Sequence, residues 1–303
     1  MPVSQAMRYI LARQFRKVRA SEDAVRAAEN AEAIHAMRVA CRRMKSALRF
    51  GRAYLAQKKL APELPMLEAL RETLGAARNL DVLQSALQAY RVRADAPTYA
   101  ALNGLADAWR NARAEHQTAL LQLLSSRAYA EWTERMDAFL AADAESAAPR
   151  VADEIPARLW KQYGIVRAYE PRVADAPPPT LHALRIQVKR LRYALEFFSE
   201  PLTASTQRAP QPRDLIEALI ALQDALGVMQ DAVVGGEFVT RYLVTQAERV
   251  ESVIRPAEFH ALTAYQNELR AQIQTRRAQA LPFYAALVSS WFRDSLGALT
   301  ARV

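Results

Sequence analysis

One stretch occurs twice, and it constrains the fold more than any other feature of the chain. The first copy reads HAMRVACRRMKSALRF, from His35 to Phe50, and the second reads HALRIQVKRLRYALEF, from His182 to Phe197. At a constant offset of 147 residues, His35 matches His182, Arg38 matches Arg185, Arg42 matches Lys189 and Arg43 matches Arg190. Lys45 then matches Arg192, Leu48 matches Leu195 and Phe50 matches Phe197. Fixed spacing of identities and like charges over this length marks an internal duplication, so the fold must accommodate two equivalent basic segments.

Both copies are helical in pattern, with apolar residues recurring at spacings of three and four. On a wheel of about 100° per residue with His35 at zero, Arg38, Arg42, Lys45 and Arg49 fall within a sector of about 80°. Ile34, Met37, Cys41, Met44, Leu48 and Leu55 occupy the adjoining sector. The second copy places His182, Arg185, Lys189 and Arg192 beside an apolar stripe of Leu181, Leu184, Val188, Leu191 and Leu195. Arg43 and Arg190 lie off the stripe, at about 80°. Glu196 replaces Arg49, so the second stripe is shorter or locally paired.

These cations border the core-facing side, whereas a solvated charge face usually opposes it with acids mixed in. From His35 to Arg52 there are six lysines and arginines and no acid, and from His182 to Leu195 there are four, again without an acid. Those ten positive charges compare with a net +9 for the whole chain. Like charges three or four residues apart destabilise a helix by about 0.2–0.5 kcal/mol per pair. A bound polyanion would turn that repulsion into charge-assisted hydrogen bonds. The stripe from His35 to Arg49 spans about 21 Å, room for several phosphates in a row.

The rest of the chain predicts an all-α protein. Glycines number only eight, and runs alternating β-branched and polar residues are absent. Helices are expected over Ser4–Ala27, Glu32–Ala56, Pro62–Arg91, Pro97–Ser125 and Tyr129–Leu140. Others are expected over Ala157–Tyr169, from a Thr180 cap to near Pro201, over Arg213–Gly235 with two glycines that break or bend it, and within Phe238–Leu299. Each basic helix is followed by a Leu-Gly helix, through Leu74–Gly75 and Leu226–Gly227. The expected organisation is a first helical half over 1–143, a linker over 144–156 and a second half over 157–303.

A pI near 9.8 favours polyanionic partners such as nucleic acid, polyphosphate or an acidic membrane surface. One cysteine, Cys41, permits no intramolecular disulfide, fits a reducing compartment and reads as a small buried apolar residue. The N-terminal stretch does not read as a signal peptide, and no run approaches the roughly 18 apolar residues of a membrane span. A soluble, cytoplasmic protein is expected. The four histidines (His35, His116, His182, His260) lie far apart in sequence, so no metal site is expected. No cofactor is expected either. Phosphoryl chemistry at His35 or His182 is the minor catalytic alternative. No glycine-rich phosphate loop or paired-carboxylate motif supports an enzyme. Aromatics are not interleaved with the stripes, which weakens a nucleic-acid reading. Arg78 and Asp81 are expected to pair at i, i+3, Trp160 and Tyr163 to be core, and Tyr193 to stand beside the second stripe. Arg8, Arg19, Arg78, Lys161 and Tyr193 are secondary candidates for anion contact.

The run from His35 to Lys45, His-x2-Arg-Val-x2-Arg-Arg-x-Lys, resembles the signature of CHAD domains, named for conserved histidines in an α-helical domain. His182–Phe197 followed by LGVMQD (Leu226–Asp231) is similar to that family's second repeat. LGAARNLDVL (Leu74–Leu83) is similar to its first Leu-Gly motif, with Asn79 where an aspartate is usual. The resemblance covers roughly Ala6 to Leu296. It implies two pseudo-symmetric four-helix bundles with a basic cavity or channel between them, non-catalytic binding of inorganic polyphosphate, and in some relatives association with polyphosphate granules. It also implies ligand contacts for His35, Arg38, Arg42, Arg43, Lys45, His182, Arg185, Lys189, Arg190 and Arg192. Some relatives carry a triphosphatase domain with a Glu-x-Glu-x-Lys motif, which is absent from this sequence.

Overall fold

The protein is seen as a computed structural model that describes residues 1–27, 31–55, 60–142, 149–203, 210–248 and 255–301. Among them there is no β-strand. A single antiparallel bridge joins Pro2 to Arg150, through Val3 N–H to the Pro149 carbonyl (2.9 Å) and Val151 N–H to the Met1 carbonyl (3.0 Å). It ties the start of the chain to the start of the second half.

In the first half, α1 (Val3–Ala20) and the short α2 (Glu22–Arg26) precede α3 (Ala31–Phe50) and α4 (Leu64–Arg91). Then come α5 (Ala96–Ala101), α6 (Asn103–Leu124) and α7 (Arg127–Ala141). The second half has α8 (Val151–Arg167), α9 (Pro178–Phe197), α10 (Ser199–Leu202), α11 (Pro212–Glu248), α12 (Pro256–Val288) and α13 (Ser290–Thr300). Helix α3 packs between α1 and α4, and α4 against α6. In the second half α9 packs between α8 and α11, and α11 against α12, so the order of neighbours repeats.

Several boundaries differ from the sequence reading for identifiable reasons. The expected first helix is divided at Ser21, whose hydroxyl turns back to the Lys17 carbonyl (2.8 Å) and whose N–H bonds Val18. Helix α8 starts at Val151, inside the expected linker, because the bridge at Arg150 anchors its first turn and Ile155 is fully buried. Positions 144–148 of that linker lie outside the described residues. Thr180 does not cap α9: Pro178 already occupies the first turn, where the missing N–H costs nothing. Gly235 and Gly236 do not interrupt α11. A Cβ at Gly235 would lie 3.3 Å from Leu269 and 3.4 Å from Leu83, so the residue serves close helix packing.

The apolar stripes read from the sequence face inward. Met37, Cys41 and Met44 on α3, and Leu184, Val188 and Leu191 on α9, have no accessible surface. They belong to one core cluster that also contains residues of α1, α7, α8 and the first half of α11. A second cluster joins Leu80, Leu83 and Leu87 to Val239, Leu262 and Leu269. Each cluster therefore draws on both halves of the chain. Helix α11 runs through both clusters, and it alone among the described helices is long and apolar enough by length and composition to cross a bilayer. Half of its most apolar window is buried inside the protein, so core packing accounts for that apolarity.

A shared core makes a definite prediction. Leu184→Ala in the second half should cost about 2–5 kcal/mol. Hydrogen exchange should then accelerate in α3 of the first half as well as in α9. Loss of protection confined to residues beyond 150 would contradict the shared core.

Candidate anion-binding cleft

With their apolar stripes buried, α3 and α9 must present the neighbouring stripes at the seam between them. Arg42 Nε donates to the hydroxyl of Tyr193 at 2.7 Å across this seam. Tyr193 is buried, and the guanidinium groups of Arg43 and Arg192 lie 5.5 and 5.0 Å from its ring centre. Both of those arginines converge on Glu196, Arg43 at 2.5 Å and Arg192 at 3.4 Å. Glu196, the residue that breaks the repeat, thus pins the two basic helices together.

Beside this strut a cleft of about 580 Å³ opens between α3, α4, α8 and α9. Its cations are Arg42, Lys45 and Arg49 from α3, Arg71 from α4, Arg158 and Lys161 from α8, and Lys189 and Arg190 from α9. Among the described residues, no aspartate, glutamate or histidine lines it. Two acids balance part of this charge: Glu154 lies 3.6 Å from Arg158, and Glu68 accepts from Lys45 at 2.5 Å and from Arg71, bonds that hold its carboxyl down at about 2. Arg158 is fixed in place by donating to the Phe50 carbonyl (2.7 Å) and the Tyr54 hydroxyl (2.8 Å) while lying over both rings.

Deeper along the seam the basic track continues through Arg38, Arg185, Arg78 and His35. Burial lowers Arg38 to about 10, helped by Arg42, Arg78 and Arg185 and opposed by Asp231. Burial also lowers Lys189, to about 7, with Arg42, Arg185, Arg38 and Arg71 all acting in the same direction. The imidazole of His35 is shifted down by burial and by Arg78, against a smaller pull from Glu32. Asp231 is shifted up by burial, against Arg185, Arg38 and Arg78. Nε of Arg185 and Nδ1 of His35 are buried without a hydrogen-bond partner. Nε of Arg43 and of Arg192 are buried without a partner in the same way. Arg185 lies flat on α11 because Gly227 leaves space: a Cβ there would come within 3.3 Å of Arg185 Nη2. His182 is held differently, its Nδ1 donating to Gln230 Oε1 at 2.9 Å.

The structure therefore brings Arg42, Lys45, Arg49, Lys161, Lys189, Arg190 and Tyr193 into one cleft, whereas His35, Arg38, Arg78 and Arg185 do not line it and cluster beside Arg42. Arg43 and Arg192 are engaged by Glu196 instead. Two secondary candidates are elsewhere. Arg8 donates to the carbonyls of Phe139 (2.5 Å) and Ala142 (2.7 Å), closing the end of α7, and Arg19 pairs with Glu22 at 3.3 Å. Asp81 pairs with Arg113 at 2.6 Å and not with Arg78, which faces the inner cluster. Trp160 remains 37% exposed, whereas Tyr163 is core as expected. Cys41 is buried, which pushes its thiol up to about 12. The sequence reading named neither Arg158 nor Arg71 as a candidate. The available signal was Arg158 three residues before Lys161, on one helix face.

The chain belongs to the CHAD domain family, whose model matches residues 9–240. Its fold is similar to that in the crystal structure of the CHAD domain from the plant Ricinus communis, with a TM-score of 0.74 and 26% identity over 95% of this chain and 92% of that one. It is also similar in fold to PptA from Streptomyces chartreusis, with a TM-score of 0.69 and 17% identity over 94% and 99%. No curated protein sequence matches the chain.

The lowered amine of Lys189 has a consequence for stability. Between about pH 7 and the ordinary lysine range, the unfolded chain holds a proton that the folded one has released. Stability then rises with pH across that window. Urea unfolding at pH 7 and pH 8.5 should show a gain in the native protein that is reduced in Lys189→Met. An identical gain in both proteins would contradict this assignment.

Proposed function

We propose that the cleft binds inorganic polyphosphate and holds it without cleaving it. The observation that carries this reading is a lining that, among the described residues, has eight lysines and arginines and no carboxylate. Concentrated like charge is unfavourable in an empty cleft, and a chain of phosphates relieves it at every contact. Arginine forks match phosphate oxygens in shape, and five of the eight cations are arginines. The track of cations runs along α3 from Arg38 to Arg49, about 16 Å, which suits an extended anion. The sequence carries no glycine-rich phosphate loop and no paired-carboxylate motif, which supports a binding role. A cytoplasmic, reducing setting accords with the single free Cys41.

At matched phosphate concentration, affinity should rise with chain length until the track is filled. Arg42→Glu combined with Lys189→Glu should abolish binding with helicity unchanged. Equal affinity for short and long chains, or binding that survives the double reversal, would overturn the reading. RNA or DNA displacing polyphosphate at lower phosphate concentration would make nucleic acid the ligand. Release of phosphate that depends on His35 or His182 would make the protein an enzyme.

A further inference from the structure

The cleft has a second character that an inorganic chain does not use. On the α8 and α9 side, Ile165 and Ile186 line it beside Gln162. Ile165 is 38% exposed. Gln162 Nε2 is committed to α9, donating to the Gln187 carbonyl at 3.1 Å and to its side-chain oxygen at 3.2 Å. That leaves Gln162 Oε1 as an acceptor in a lining whose polar side chains are mostly donors. Ile165 lies one helical turn after Gln162, and Ile186 adjoins Gln187, so both isoleucines flank this contact. Covering them with phosphate oxygens would desolvate charge against hydrocarbon, which is unfavourable.

We propose that the cleft takes a nucleoside polyphosphate, with its phosphates among Arg42, Arg71 and Lys189 and its base against Ile165 and Ile186. The proposal rests on the phosphate-binding reading of the same cleft. A base is apolar on its faces and hydrogen-bonding at its edge, so an exocyclic amine or a ribose hydroxyl can donate to Gln162 Oε1. An acyl chain would use only the isoleucines. A cleft of about 580 Å³ falls within the range of about 300–1,000 Å³ that encloses ligands of this size.

The test compares adenosine triphosphate with inorganic triphosphate by calorimetric titration of the intact protein at equal ionic strength, with a long polyphosphate as reference. Charge alone favours inorganic triphosphate, because esterification removes an ionisable oxygen. The structure predicts the opposite order, with adenosine triphosphate tighter by about fivefold or more from buried apolar area. Combined Ile165→Ala and Ile186→Ala should bring it to the level of inorganic triphosphate and leave inorganic triphosphate within about twofold. The unchanged inorganic anion then reports that the cleft is still folded. If long polyphosphate binds but adenosine triphosphate is no tighter than inorganic triphosphate, the base subsite is overturned and the phosphate reading stands. If the variant weakens both anions equally, the isoleucines support the fold and the subsite is likewise overturned. If none of the three binds, both readings fall together.

Discussion

The structure depends on the angle between two stripes on a helix. Each basic helix carries its cations directly beside the residues that bury completely. When Met37, Cys41 and Met44, and opposite them Leu184, Val188 and Leu191, are taken into the core, the cations have no freedom to rotate into bulk water. Long side chains can still reach outward, as Lys45 and Arg49 do, but Arg38, Arg42, Arg185 and Lys189 are held part-buried at the seam. Hydrophobic burial thereby concentrates positive charge that electrostatics alone would disperse. The lowered Lys189 amine, near 7, is the local sign of that conflict.

Compensation inside the protein is partial and placed to one side. Glu196 takes Arg43 and Arg192, Tyr193 takes Arg42, and Glu68 takes Lys45 and Arg71. These contacts hold the helices in register and aim the remaining charges into the cleft. The Leu-Gly helices are part of the same device. Gly227 makes room for the guanidinium of Arg185, and Gly235 lets α11 approach Leu83 and Leu269, so one long helix crosses both core clusters. Ile165, Ile186 and Gln162 add hydrocarbon and an amide to the cationic lining.

Periodicity was enough to locate the cationic seam, because burial of a helical stripe determines where its neighbours point. It was not enough for contacts made across the fold. Arg158 sits on a helix of mixed charge, and only its position beside Phe50 and Tyr54 turns it toward the cleft. Arg8 looked equivalent to other surface arginines until the end of α7 was found in its reach. Asp81 had a plausible partner at i, i+3, yet Arg113 from α6 was closer in space. The glycine pair in α11 read as a break because a sequence shows the helix cost of glycine and not the neighbour that the glycine admits.

Salt dependence of affinity for a long polyphosphate tests the central claim most directly. A track of cations that neutralises several phosphates at once releases several counterions, so log K should fall steeply and linearly with log salt concentration. The slope should become shallower in Arg42→Ala, which removes one cation of the track. A slope of about one, or one unchanged by that substitution, would mean that a single phosphate is held elsewhere and would contradict the account.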